Sequence, residues 1–352
     1  MAVAGPERTS MRGCRQADVR ISVLDTSPIV QGSTPRQALH NTVDLAKLAD
    51  VLGLHRYWVP EHHGMRGVAS SAPAVLIGHL ADATQHLRVG AGGVLLPNHA
   101  PIVVAEQFGT LAALHPGRID LGLGRAPGGP RPAVEAVRPE RDRTVKTFRQ
   151  QLDELRAYLD PPQDAQVKAI PVLGGNVPSL WLLGSTTSSA DLAAELGLPY
   201  AFAHHLNAQM AMDAMRSYRE QFRPSDHAAT PTTLVSVSVI AAEDDERAEW
   251  LAGSTRLKVL SRVRGNRILL PSPEDAAAYP YTDDDRAEIA ARSDGVLVGG
   301  PATVIEHLQS VLDDTGTHEL MITTPLYHHA DRRRSYELIA SIADRLRPSA
   351  KH

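Results

Sequence analysis

The sequence predicts an α/β protein, a TIM (β/α)8 barrel with a long insertion before the last helix–strand unit. Short apolar runs alternate with longer helical patterns along the whole chain, and eight such units occur. The short runs are apolar on both faces, which is typical of strands in a parallel sheet that helices cover. An open doubly wound sheet is the competing arrangement of the same units.

Each predicted strand has a helical pattern after it. The strands are Ile21–Leu24, Arg56–Val59, Arg88–Leu96, Arg118–Gly124, Ser179–Gly184, Tyr200–Ala203, Thr233–Ala242 and Glu319–Thr323. In the first helix, Ser33 or Thr34 suits the N-cap, Pro35 suits the first helical position, and Gly53 ends the pattern. Later helices are predicted over Ala74–Ala83, Pro101–Leu114, Arg143–Leu159, Ser188–Leu196, Asn207–Phe222, Glu243–Val259, Pro301–Leu312 and Arg333–Leu346.

Two internal segments interrupt this alternation. Arg125–Pro139 is rich in Pro and Gly and is predicted to be a loop. Arg262–Asp294 is long and polar, and we expect a mobile lid there, with a plain surface insertion as the alternative. Residues 1–19 are polar and Arg-rich and are predicted to be a disordered tail, and residues 20–348 a single domain.

Composition narrows the class of protein. With 43% hydrophobic but only 4% aromatic residues, the core must be mainly aliphatic, and a net charge of −4 favours neither nucleic acid nor an anionic membrane as partner. The single cysteine, Cys14, cannot form an intramolecular disulfide, and no apolar run approaches the ~20 residues of a membrane span. We therefore expect a soluble, cytoplasmic protein.

Polar side chains are concentrated where the predicted strands end, which in a barrel is where ligands bind. Glu61, His62 and His63 follow the second strand. Because side chains alternate sides on an extended segment, the three cannot all bind one metal ion. Zinc held by Glu61 or His62 with His99 or His204 stays an alternative, but we predict no metal site. A histidine near neutral pKa beside a carboxylate is better suited to proton transfer.

The turn after the fifth strand has the composition of an anion site. Gly184 precedes five hydroxyl residues, including Ser185, Thr186 and Ser189, at the start of a helix. Such a helix start stabilises an anion, although simple capping would use the same residues. Arg125, at the end of the neighbouring strand, adds a fixed charge that suits phosphate. Together these residues favour a phosphate site.

Glycines inside the third strand, Gly90, Gly92 and Gly93, indicate that something approaches the backbone closely. A flat aromatic ring lying against the strand would need such a surface. Small residues that fit under a helix are the alternative explanation.

Four segments resemble the bacterial luciferase-like, FMN-dependent monooxygenases, particularly the branch with tailoring oxygenases of polyketide antibiotic pathways. They are "WVPEHHG", "VGAGGVLLPNHAPIVVAEQF", "LHPGRIDLGLGRAPG" and "GSTTSSADLAAELGLP", and the similarity runs from about Ile21 to Leu346. The resemblance implies a TIM barrel that binds reduced FMN, activates O₂ and transfers oxygen to an organic substrate. It also implies a homodimer and a separate NAD(P)H:flavin reductase.

The resemblance also assigns roles to the residues singled out above. Arg125 and the Ser185–Ser189 turn would hold the FMN phosphate, and Gly92-Gly93 matches a non-prolyl cis peptide beneath the flavin ring. His62 matches the acid–base histidine, with Glu61 and His63 beside it. This chain departs from the family at Gly124, where relatives have a reactive cysteine, and at Gly129-Pro130, where relatives often have Thr-Asp.

Two other functions remain open. A deazaflavin (F420)-dependent oxidoreductase would share the barrel and the bulged third strand, and a non-catalytic flavin-binding barrel would share the fold alone. Trp58, Met65, His99, His204 and Phe202 are predicted to line the substrate pocket, which suggests a medium-to-large, partly apolar molecule.

Overall fold

Eight of the parallel strands close into a ring, which confirms the predicted TIM barrel. The structure, a computed structural model, describes residues 19–126, 128–292 and 295–349. Within these residues β1 to β6 pair in sequence, β6 pairs with β7, β7 with β9, and β9 with β1. The predicted tail, residues 1–19, lies outside the described residues except for Val19.

The bounds of the predicted strands agree closely with the sequence pattern, whereas several helices begin or end four or five residues from their predicted bounds. The strands are β1 (Arg20–Leu24), β2 (Arg56–Val59), β3 (Arg88–Leu95), β4 (Ile119–Gly124), β5 (Ser179–Gly184), β6 (Tyr200–Ala203), β7 (Thr233–Ala241), β8 (Val296–Gly299) and β9 (Glu319–Thr323). The helices are α1 (Pro35–Val51), α2 (Pro73–Ala83), α3 (Pro101–Leu114), α4 (Arg131–Val137), α5 (Glu140–Arg143), α6 (Phe148–Leu159), α7 (Thr187–Leu196), α8 (Ala211–Gln221), α9 (Asp245–Val263), α10 (Pro273–Ala277), α11 (Asp283–Ala290), α12 (Pro301–Thr315) and α13 (His329–Ile342). In the part of the chain that the structure describes, no helix has both the length and the apolar character to cross a bilayer.

The amino end of the barrel interior is filled by a buried ion-pair network. Arg56 contacts Asp120 at 2.7 Å and Glu319 at 2.6 Å, and its guanidinium lies 4.7 Å from the Trp181 ring centroid. Trp58 donates its indole N–H to Asp120 at 2.9 Å. Burial alone would lower the pKa of Arg56, but the two carboxylates raise it, so the charge is kept.

An apolar layer lies above this network and closes the interior. It consists of Leu24, Trp58, Trp181, Ala201, Leu234 and Met321. Towards the carboxyl ends the strands carry small residues instead, Gly92, Gly124, Gly184 and Ala203 among them. The barrel is therefore packed at its amino end and open at its carboxyl end.

A second buried charge joins the first strand to the last helix. Asp25, directly after β1, pairs with Arg332 of α13 at 2.8 Å and accepts hydrogen bonds from Tyr57 at 2.5 Å and Thr42 at 2.7 Å. Burial raises the pKa of Asp25, but Arg332 and the hydroxyl donors lower it further, so a carboxylate is maintained. Although Asp25 follows a strand end, its side chain contacts the outer helical layer, through Arg332 of α13 and Thr42 of α1.

No helix was predicted between Val259 and Pro301, but the segment between β7 and α12 is a folded excursion with helices of its own. The helix α9 continues to Val263, and α10 and α11 are capped by Ser272 and by Thr282. Residues on α9, α10 and α11 and on the segments between them form a small apolar cluster of their own: Leu257, Leu260, Ala276, Ile268, Tyr279, Tyr281 and Ile289. Whether the excursion moves as a lid stays a prediction.

Two further expectations need correction. The predicted loop Arg125–Pro139 contains α4, because Pro132 lies in the first turn, where a missing N–H costs nothing. A ninth strand, β8, was not predicted since its four residues adjoin the polar insertion, and it pairs with the upper part of β7 outside the closed ring.

The packing of β3 against β4 predicts that Gly122→Ala is destabilising. A Cβ at Gly122 would lie 2.2 Å from the Ala91 carbonyl oxygen, a backbone atom that cannot turn away. We expect the free energy of unfolding to fall by about 1–3 kcal/mol or more, measured by urea denaturation. As a control, Gly253→Ala in α9 meets nothing closer than 3.5 Å and should not destabilise. Equal stability of the two variants would contradict this account.

Candidate functional site

Glu61 is the centre of a hydrogen-bonded group at the carboxyl end of β2. Its carboxylate is 1% exposed and lies 2.7 Å from His63 Nε2 and 2.8 Å from His99 Nε2. The backbone N–H of Leu95, at the end of β3, donates to the same carboxylate at 3.0 Å. Glu61 thus joins the ends of two neighbouring strands.

The environment of Glu61 keeps it ionised. Burial favours the neutral acid, but hydrogen bonds from His99, His63 and the Leu95 amide lower the pKa of Glu61 below its ordinary value. The atoms that could ligate a metal ion are bonded to one another instead. Among the described residues, no group of three or more His, Cys, Asp or Glu side chains is arranged to hold a metal.

His62 lies between these residues in the chain but is not part of their network. Its Nδ1 is buried and has no hydrogen-bond partner among the described residues. Burial lowers the pKa of His62, and Glu61 only partly offsets this, so the imidazole is neutral at neutral pH. A buried ring nitrogen without a partner is rare in a finished core, and it is expected where a ligand completes the site.

The glycines of β3 form a bare surface beside this cluster. The Gly92–Gly93 peptide is cis, as the resemblance implies, and the pairing of β3 with β4 shifts register between Ala91 and Val94. A Cβ at Gly92 would lie 3.0 Å from the Trp58 ring, so the surface rests directly on the apolar layer. A flat ring could lie on it without meeting a side chain from these two positions.

The loop after β4 approaches the acid–histidine cluster through two glycines. Gly128 has a φ of +75°, and His63 donates its backbone N–H to the Gly128 carbonyl at 2.9 Å. A Cβ at Gly129 would lie 2.2 Å from the His63 carbonyl oxygen. Gly129-Pro130, where this chain departs from the family pattern, therefore allows a close contact that a larger residue would block.

The turn after β5 presents unbonded donors at the start of α7. The Ser185, Thr187 and Ser188 hydroxyls have no partner within the described part of the chain, and the first amides of a helix lack intrahelical acceptors. Ser189 instead donates to the Thr186 carbonyl at 2.7 Å and lies 2.9 Å from the Tyr200 hydroxyl. Ser189 and Tyr200 thus support the turn, and Gly184 leaves room for Ser189 beneath it.

Arg125, directly after β4, is exposed, and no hydrogen bond or ion pair of its side chain is present among the described residues. β4 and β5 are paired, with Leu123 opposite Leu182, so Arg125 and the β5 turn belong to the same end of adjacent strands. A fixed cation beside unbonded N–H and O–H donors is a suitable environment for a phosphate.

The structure also separates residues that the strand-end rule grouped together. Phe202 points into the outer core between barrel and helices, not into the pocket as predicted. His205 is held by Ser236, with Nδ1 2.9 Å from its hydroxyl. His99, considered only as a pocket wall or zinc ligand, bonds to Glu61, and its place just after β3 was the signal for this role.

Comparison with known proteins places the chain in a family. The sequence profile described as "luciferase-like monooxygenase" matches residues 19–319. A luciferase-like monooxygenase of Escherichia coli (strain K12) is 40% identical over 329 residues, covering 93% of this chain and 98% of the relative. The N-acetyl-S-alkylcysteine monooxygenase of Bacillus subtilis (strain 168) is 34% identical over 330 residues, covering 92% and 97%.

Solved structures agree with these relatives. The crystal structure of apo-MsnO8 is 39% identical, with a TM-score of 0.85, and covers 94% of this chain and 99% of its own. The oxygenating constituent of 3,6-diketocamphane monooxygenase from Pseudomonas putida, solved with FMN, shares the fold at 20% identity and a TM-score of 0.71, with 95% and 100% covered. With a profile match over most of its length and relatives this similar, the chain belongs to the luciferase-like monooxygenase family.

Proposed function

We propose that this protein uses reduced FMN and O₂ to oxygenate an organic molecule, by hydroxylation or epoxidation. The observation that carries the proposal is a bare glycine surface with a phosphate-type turn on one side and a buried, unbonded His62 on the other. Bound reduced flavin would supply the O₂ chemistry. The chain would hold its phosphate through Arg125, Gly184, Ser185 and Thr186, with Ser189 as their support.

His62 is proposed as the group that moves a proton at the reaction centre. Its neutral ring can accept a proton and return it, and its Nδ1 has no competing partner in the described structure. Glu61 and His63 position the loop that carries His62, since both are tied to neighbouring strand ends. A separate NAD(P)H:flavin reductase would provide the reduced flavin.

The substrate is proposed to be a small organic molecule, and a polyketide intermediate is one class that the resemblance suggests. The activity in the name of the Bacillus subtilis relative, oxygenation of N-acetyl-S-alkylcysteines, makes thioethers a second class to assay.

The excursion between β7 and α12 is proposed to shield the reaction from water. A chain that lacks Pro273–Arg292 is expected to form hydrogen peroxide in place of oxygenated product. If flavin oxidation stays coupled to oxygenation as in the complete chain, the excursion does not shield the reaction.

A homodimer is also proposed. Val75 on α2 and Leu114 on α3 are 77% and 69% exposed, and these neighbouring helices would bury them against a second copy. Sedimentation of the chain and of its Val75→Glu variant measures the assembly. A monomeric parent chain would overturn this part of the proposal.

The activity itself is tested by titrating the chain with reduced FMN and with reduced F420, followed by exposure to O₂. We expect tight binding of reduced FMN and O₂ consumption that depends on the chain. Preferential binding of F420, as in a secondary alcohol dehydrogenase that shares the fold at 15% identity, would favour the oxidoreductase alternative. Flavin binding without O₂ consumption would indicate a non-catalytic barrel.

Arg125→Ala is expected to weaken FMN binding by roughly 1.5–3 kcal/mol, which is the contribution of a hydrogen bond to a charged group. Fluorescence titration measures the dissociation constant. Arg131→Ala is the matched control, because Arg131 is exposed and pairs with Glu140 on the surface. If Arg125→Ala binds FMN as the control does, Arg125 is not a phosphate ligand.

His62→Ala is expected to spare flavin affinity but to lower the oxygenation rate ~10²–10⁴-fold, as loss of an acid–base group does. The pKa of His62 lies below its ordinary 6.5, so the parent rate should fall only when the pH drops below that value. The variant should lose this acidic limb of the pH–rate profile. His40→Ala, at an exposed position of α1, is the control. Turnover within threefold of the parent would make His62 structural.

A further inference from the structure

Two cations of α9 have no acidic partner, whereas the others do. Arg247 pairs with Asp331 and Arg256 with Glu249, both through their guanidinium groups. Within the residues that the structure describes, the side chains of Lys258 and Arg262 form no ion pair or hydrogen bond. A partly buried ammonium without a partner is costly to maintain, because burial disfavours its charge.

The face of α9 that carries Lys258 is turned towards the open end of the barrel. Thr255, one turn earlier on this face, donates to the carbonyl of Pro325, two residues after β9, at 2.8 Å. Beyond the helix, Leu270 pairs with Val30 in the segment after β1. Lys258 Nζ and a Leu269 methyl each lie 3.7 Å from the position of a Cβ on Gly67, in the loop that follows His62.

This position separates Lys258 from the proposed phosphate site. Lys258 lies beside the loops of β1 and β2, whereas Arg125 and Ser185 follow β4 and β5, which are further round the ring. Burial lowers the pKa of Lys258, and Arg262 lowers it further, while no carboxylate among the described residues acts against them. The described residues therefore supply no anion for this ammonium, and the proposed flavin phosphate site lies elsewhere on the ring, so a further bound anion would be its partner.

We propose that Lys258, supported by Arg262, binds a carboxylate of the substrate at the carboxyl end of β1 and β2. The inference rests on the proposed function, since it names the substrate class of that same site. The apolar side chain of Leu269 approaches the same Gly67 position as Lys258, so the rest of the substrate is apolar. An organic acid anchored here would lie on the His62 side of the glycine surface, opposite the flavin phosphate.

The test compares hexanoate with hexanamide, which differ in charge but hardly in shape. Calorimetry on the FMN-loaded full chain should show hexanoate binding about tenfold or more tightly than hexanamide, the difference that a charged hydrogen bond makes. Lys258→Met should abolish the preference and Lys258→Arg should retain it. Lys47→Met, at an exposed position of α1, is the matched control and should keep the parent preference.

A second readout follows the Lys258 side chain itself. After reductive ¹³C-methylation, which keeps the charge, hexanoate should raise the pKa of the Lys258 signal and hexanamide should not. The proposal would be overturned if hexanoate did not bind, or if both probes bound equally and the pKa of the Lys258 signal stayed the same. Lys258 would then have only a packing role, through the methylene groups of its side chain. If the chain bound hexanoate but not FMN, the proposed function would be contradicted and the carboxylate site would still be supported.

Discussion

The close approach of β3 and β4 is the constraint on which the rest of the site depends. A Cβ at Gly122 would meet the Ala91 carbonyl oxygen, and one at Gly93 would lie 2.6 Å from the Gly122 carbonyl oxygen, so both strands require glycine. The same absence of side chains leaves a flat surface above Trp58 and Leu24. Once that surface exists, the ends of the neighbouring strands decide what can bind to it. The polar groups at those strand ends can then contact one and the same bound molecule.

The charged groups divide into a paired and an unpaired set. At the amino end Arg56 pairs with Asp120 and Glu319, and in the outer layer Asp25 pairs with Arg332, and these pairs stabilise the barrel. At the carboxyl end Arg125, His62 and Lys258 lack partners among the described residues. Arg125 is exposed, whereas His62 and Lys258 are partly or wholly buried, and a buried polar group without a partner is expected where a bound molecule completes it. Glu61 is paired, like the first set, but it lies at the carboxyl end, like the second. Its hydrogen bonds to His63 and His99 hold the residues of the site in place.

The sequence revealed the barrel and much of the site because strand ends can be recognised from local patterns. Apolar runs and capping residues placed eight strands, and the residues just after them included Glu61, His62, Arg125 and the β5 turn. Side-chain direction could not be predicted in the same way: Phe202 lies near the end of β6 and Asp25 directly after β1, yet both face the helices. The helices of the excursion were missed although Ser272 and Thr282 are capping signals, because their apolar cluster forms only against α9. The bond of His99 to Glu61 depends on β2 and β3 being neighbours, which no local pattern reports.

The most direct test of the central claim is a crystal structure of the chain with FMN. The account predicts the flavin ring on Gly92 and Gly93, the phosphate within hydrogen-bonding distance of the Ser185–Ser188 amides and Arg125, and His62 facing the ring. A flavin ring away from the glycine surface, or a phosphate bound beside Lys258, would contradict it.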